Sequence, residues 1–150
     1  MSFEAAAALA LARSYGRCEG CGIAARLDPH HRMTRGSGGV HGAAAAISND
    51  VRNILMLCRP CHDTTLNDAP GCIKIGWVIE RRSGTDPLET PALIRTVNGH
   101  GWWYLTEDGG YRWSDEMNLT DQLGFCEHGI PIEYCGNCHE SMIENDGEKP

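Results

Sequence analysis

At 150 residues the chain has room for one ordinary domain or for two or three small modules. Its net charge of −7 argues against a strong nonspecific nucleic-acid binder, but the charge is uneven: residues 1–66 carry +2 and residues 67–150 carry −9. Nucleic acid is therefore expected to meet the N-terminal part, and a protein partner the acidic C-terminal part.

Ser2 suits a helix N-cap, Glu4 a first turn and Gly16 a stop. Phe3, Ala7 and Leu11 share one stripe, so a helix is predicted over residues 3–14, packed over the segment that follows. The run Ala5–Ala12 lacks a basic leader and is too short to cross a membrane. Seven of the eight cysteines fall in C-x2-C or C-x-H patterns, which read as metal sites rather than disulfides. A reduced, cytoplasmic protein with no membrane contact is expected, its small cores held by metal.

Cys18-Glu19-Gly20-Cys21-Gly22 reads as a metal knuckle. Residues 23–33 are predicted extended, because Pro29 opposes helix there. A Gly-rich loop follows from Thr34 to Gly42, with Arg32 and Arg35 at its start as candidate phosphate contacts. Ala43–Ile47 adds a helical turn, and Ile54–Leu57 is a short apolar run suited to a buried strand. Pro60 opens a helix that reaches about Asn67 and is ended by Ala69-Pro70-Gly71. Strands are then predicted over Ile73–Glu80, Ala92–Val97, Gly101–Leu105 and Tyr111–Trp113. They form a small antiparallel sheet whose Trp77, Trp102, Trp103 and Trp113 are read as core ahead of base-stacking surfaces. Residues 119–150 hold Cys126, His128, Cys135 and Cys138, a second zinc set in which His139 competes with His128. The acidic tail beyond is expected to be disordered.

Cys18, Cys21, Cys58 and Cys61 supply the four ligands that one structural zinc needs, which leaves His30, His31 and His62 over. Cys61 and His62 are adjacent on a helix, so their side chains diverge by about 100°. With Cys61 on the zinc, His62 is free to face the segment carrying His30 and His31. Two imidazoles from different elements can hold a divalent ion, and a third beside them can take a proton from water. Such a set can hydrolyse a phosphodiester. Asn53 is placed to hydrogen-bond the base histidine or its backbone. His41 and His100 are read as solvated loop residues, and Cys72 as a buried free thiol.

Asp28-Pro29-His30-His31, Asn53-Ile54-Leu55-Met56-Leu57-Cys58 and Cys61-His62 together resemble the HNH endonucleases, in the cysteine-flanked form common in phages and bacteria. The resemblance covers about residues 15–68. It implies a ββα-metal fold acting on DNA, with His30 and His62 on a catalytic Mg, Mn, Ni or Zn ion, His31 as general base and Asn53 supporting it. Many members carry a Lys three residues after the final His. Here that position is Thr65, so the phosphate contact is missing or moved to Arg59 or Arg35. Some phage members work beside the DNA-packaging motor, which makes that motor a partner by resemblance alone.

The resulting expectation is an α+β protein in three modules: a nuclease-like module with structural zinc over 1–70, an accessory antiparallel sheet over 71–118 and a second zinc knuckle over 119–150. The rival is a zinc-stabilised DNA- or protein-binding module without catalysis.

Overall fold

Serine at position 2 caps the first helix as its sequence demands. In the computed structural model, which describes residues 1–34 and 42–118, Ser2 Oγ accepts the Ala5 amide at 3.2 Å and α1 runs over Phe3–Ser14. Its buried stripe is Ala6, Ala10 and Arg13, whereas Leu11 of the expected stripe is 47% exposed. Alanine allows the helix to approach the next layer closely. Tyr15 ends it in the left-handed region at φ 52°.

The remaining elements are β1 (Leu27–His31), α2 (Ala43–Ser48), a 3-10 turn over Val51–Asn53, β2 (Ile54–Cys58), α3 (Arg59–Asn67), α4 (Ala69–Lys74), β3 (Ala92–Thr96), β4 (Gly99–Leu105), β5 (Tyr111–Trp113) and α5 (Asp115–Asn118). β1 and β2 pair antiparallel, with His30 opposite Leu55 and His31 opposite Ile54. All five residues of β2 are buried, because each face of the strand meets a different core. Ile54 and Met56 pack with Ala6, Ala10 and Val51, while Leu55 and Leu57 pack with Cys72, Trp77, Ile94 and Trp103. β3, β4 and β5 form a second antiparallel sheet.

Two readings of the sequence need correction. Ala69-Pro70-Gly71 does not end the helical region but opens α4, because Asp68 caps the Gly71 amide and Pro70 fits a first turn. The strand expected over Ile73–Glu80 is absent: Ile73 and Lys74 finish α4, and Gly76 turns the chain at φ 72°. Trp77 is no strand residue but packs against the sheet, its Nε1–H donating to the Leu93 carbonyl of β3 at 2.8 Å. Trp77, Trp102 and Trp103 are buried, while Trp113 is 41% exposed.

Met1–Ser114 forms one compact unit. The expected junction at residue 70 falls inside the first unit, and the core that joins Cys18, Leu55 and Leu57 to Ile94 and Trp103 crosses it. Within this unit Glu19 is a buried tie point. Its carboxylate accepts from Arg13 Nε at 2.8 Å, the Met56 amide at 2.6 Å and the Tyr111 hydroxyl at 2.7 Å. Arg13 also donates to the Val51 and Ile54 carbonyls, so one ion pair joins α1, the knuckle, β2 and β5. Burial first, then the Glu19 charge, raises the Tyr111 hydroxyl well above its usual range.

Among the described residues no helix is long and apolar enough to cross a membrane. Residues 35–41 of the Gly-rich loop, with Arg35 and His41, and Cys126, His128, Cys135, Cys138 and His139 lie outside the described residues. His100 is half-buried in β4, not a solvated loop residue.

Candidate functional site

The four cysteines of the knuckle and the strand–helix junction come together. Cys18 lies in a tight turn in which its amide donates to the Ile23 carbonyl at 2.9 Å and its carbonyl accepts from Gly22 at 2.7 Å. Cys58 ends β2 and caps α3, and Cys61 sits in the first turn of α3. All four sulfurs lie within 4.8 Å of one another, and Cys21 and Cys58 Sγ are 3.6 Å apart. Sulfurs around a tetrahedral zinc are about 3.8 Å apart at ordinary Zn–S lengths, so the set could hold a structural metal ion such as zinc.

The surroundings favour thiolate at one corner. A hydrogen bond from Cys61 pulls the Cys18 thiol down, aided by backbone amides including that of Cys58 at 3.2 Å, and the Cys61 proton is correspondingly held. Gly20 is needed beside the cluster, since a Cβ there would lie 2.5 Å from the Trp77 ring and 3.1 Å from Cys61 Sγ. Cys72 is buried apart from this set, and burial pushes its thiol up to about 11.

The pleat of β1 separates the two adjacent histidines. Residues opposite each other in an antiparallel pair share a face, so His30 takes the Leu55 side and His31 the Ile54 side. His30 is buried beside Trp77 and meets the His62 ring edge-on, with centroids 5.3 Å apart. Its Nε2–H donates to the Trp77 carbonyl at 2.9 Å, a tautomer that leaves Nδ1 as a lone pair. Burial, followed by the charges of His62, His31 and Arg32, lowers His30 to about 4. His62 Nδ1 is buried with no hydrogen-bond partner among the described residues. His31 instead stacks on Phe3 of α1, with ring centroids 5.0 Å apart and 21° between the planes.

Asn53 is fully buried and works on the backbone just past the pair. Its Oδ1 accepts the Met33 amide at 2.8 Å, its Nδ2 donates to the Met33 carbonyl at 3.2 Å, and its own carbonyl accepts the Arg32 amide. Asn53 therefore fixes the exit of β1 through the chain rather than through an imidazole.

Arg32 is no phosphate contact. It is fully buried, and its guanidinium donates to the carbonyls of Gly76, Arg52, Pro87, Thr90 and Pro91. Burial, then repulsion from Arg13, lowers it to about 9, which still leaves it charged at neutral pH. Thr65 is buried and donates to the His62 carbonyl at 2.7 Å. Arg59 is exposed and pairs with Asp63 at 3.1 Å.

Sequence spacing alone missed three partners: the Trp77 carbonyl behind His30, Phe3 over His31, and the carbonyls around Arg32. Each lies far along the chain from the group it serves. Comparison of the chain with protein-family models, curated proteins and solved structures gave no match.

Proposed function

We propose that the first unit is a metal-dependent endonuclease of HNH type that hydrolyses phosphodiester bonds in DNA. One observation carries the reading. His30 and His62, from a strand and a helix, meet at 5.3 Å, with one ring nitrogen committed to a carbonyl and another buried without a partner among the described residues. A histidine that ligates a metal commonly gives its other N–H to a backbone carbonyl, which is the state of His30.

When bound, a divalent ion at His30 and His62 supplies positive charge to the scissile phosphate and the leaving oxygen. His31 accepts a proton from water as the water oxygen bonds to phosphorus. The P–O bond to the leaving oxygen breaks, and that oxygen takes a proton from solvent. Asn53 is a positioning residue, holding the Arg32–Met33 backbone directly behind His31. The cysteine quartet holds a structural zinc, and Cys126, Cys135 and Cys138 with His128 or His139 form a second zinc knuckle. The acidic residues around it suit a protein partner.

A second reading has a specific observation behind it. His31 lies under Phe3 on the opposite face of β1 from His30, an arrangement that suits a binding module without catalysis. Plasmid nicking with added Mg²⁺, Mn²⁺ or Ni²⁺, with chelator as control, separates the two. For a nuclease, His31→Ala lowers the rate by about 10² to 10⁴ with metal and DNA binding retained. Wild-type protein that cuts with no metal tried, or a His31→Ala variant as fast as wild type, would refute the mechanism.

A further inference from the structure

The four corners of the cysteine quartet differ in access. Cys18 and Cys58 are buried and Cys61 is half-buried, whereas Cys21 is exposed. A small oxidant therefore meets Cys21 first. The Cys58 sulfur lies 3.6 Å from it, so a second thiol stands directly behind the corner that solvent reaches. The two cysteines are 37 residues apart and belong to different elements, the knuckle and the junction of β2 with α3.

The chain holds the other two corners differently. Cys18 Sγ accepts the Cys21 amide at 3.5 Å and the Cys58 amide at 3.2 Å, which keeps that sulfur in its corner. Cys61 lies in the first turn of α3. Cys58 both ends β2 and caps α3, so a bond from Cys21 to Cys58 keeps the knuckle on the end of the strand. Cys61 takes no part in that bond, and with it goes the grip on the rotation of α3.

We propose that Cys21 and Cys58 form a peroxide-operated switch, a reversible disulfide that empties the quartet and frees α3 while leaving the knuckle on β2. The Cys21 thiolate attacks one oxygen of a peroxide. An S–O bond forms, the O–O bond breaks and hydroxide leaves. The Cys58 thiolate then attacks the Cys21 sulfur. The S–S bond forms, the S–O bond breaks and a second hydroxide leaves. Two sulfurs lose two electrons and the peroxide gains them. Cys18 and Cys61 are then half of a tetrahedral site, so zinc passes to solvent. His62 follows Cys61 directly, and freeing the first turn of α3 loosens its contact with His30 at 5.3 Å. The inference rests on the reading of the quartet as a zinc site, and its consequence for cleavage on the endonuclease reading. It is tested without cleavage.

Full-length, zinc-loaded protein is treated with a few equivalents of hydrogen peroxide, alkylated, digested and mapped by mass spectrometry, with amide hydrogen exchange followed in parallel. Cleavage after Glu19 separates Cys18 from Cys21, so the bridge is assigned residue by residue and apart from the cysteines of residues 119–150. A Cys21–Cys58 bridge is expected in most molecules, with α3 amides exchanging at least about tenfold faster and β2 amides unchanged. Dithiothreitol with added zinc should reverse both changes. Cys21→Ser should leave Cys58 unbridged; if that variant does not fold, the wild-type map decides alone. A bridge to Cys18 or Cys61 instead would overturn the switch. So would thiols still reduced at a dose that fully oxidises glutathione, or exchange that rises equally in β2 and α3. Protein isolated with no zinc on the quartet would overturn the switch together with the metal reading. Protein that switches yet never cuts DNA would sustain it and remove only the nuclease reading.

Discussion

Removing Arg32 should unfold the first unit rather than merely weaken a DNA contact. The side chain is fully buried, and it donates to five carbonyls from residues 52, 76, 87, 90 and 91. Arg32→Ala deletes the donors and leaves a polar cavity. Hydrogen bonds from a charged donor contribute about 1.5–3 kcal/mol each in net terms. Five cannot simply be added, because the guanidinium also loses its own hydration and the carbonyls regain some water in the cavity. A net loss of about 3–5 kcal/mol is the expected scale for stripping one partner from a buried charged cluster. For a unit near 100 residues that lowers the melting temperature by roughly 15 °C or more. Arg32→Lys should fall between, since an ammonium has three donors for five carbonyls. Urea and thermal unfolding followed by circular dichroism and tryptophan fluorescence measure both variants. An Arg32→Ala protein within about 1 kcal/mol of wild type, with weakened duplex binding, would refute the buried role and restore the phosphate contact expected from sequence.

Elemental analysis of the full chain should find two zinc ions, and Cys58→Ser should lose one of them and unfold Met1–Ser114, as structural zinc contributes on the order of 10 kcal/mol in small domains; retention of both ions and of the melting temperature would count against the quartet. Tyr111 supplies a pH signature. Its folded hydroxyl is raised, so above pH 10, the ordinary tyrosine value, the unfolded chain ionises first and stability falls by up to about 1.4 kcal/mol per pH unit. Tyr111→Phe should be less stable below pH 10 and lose less above it, and equal alkaline slopes for the two proteins would contradict the buried hydroxyl.

What was legible in the sequence was local. Ser2 opened α1, Pro29 opposed helix where β1 formed, Pro60 opened α3, and two C-x2-C pairs located the cysteine quartet, while α1 stopped at Tyr15, one residue before the expected Gly16. Two failures were also local conflicts. Ile73-Lys74-Ile75-Gly76-Trp77 alternates like a strand, but Asp68 and Pro70 had already started α4 and Gly76 ended it. The other failures were long-range. Nothing near Arg32 signals that its ligands are carbonyls 20 to 59 residues away. The junction expected at residue 70 vanished because Cys72 and Trp77 fill the same core as Leu55 and Leu57.

The cysteine quartet and the histidine pair are coupled through five consecutive residues. Cys58 ends β2, Cys61 lies one turn into α3, and His62 follows on a side of that helix rotated by about 100°. A metal on Cys58 and Cys61 would thus fix the rotation of α3, and that rotation sets His62 against His30 at 5.3 Å. From the other side, the pairing of β1 with β2 fixes His30 opposite Leu55 and commits His31 to the face of Phe3. On the proposed reading, a metal at the quartet and the strand register would decide together which histidines could share an ion. A loosened quartet would release His62 first and leave His30 on the Trp77 carbonyl, because that bond does not pass through α3. For His31 to act as the proposed base beside an ion held by His30, the end of β1 would have to bring it past the strand edge. Asn53, clamping Met33 two residues on, holds the backbone at that point.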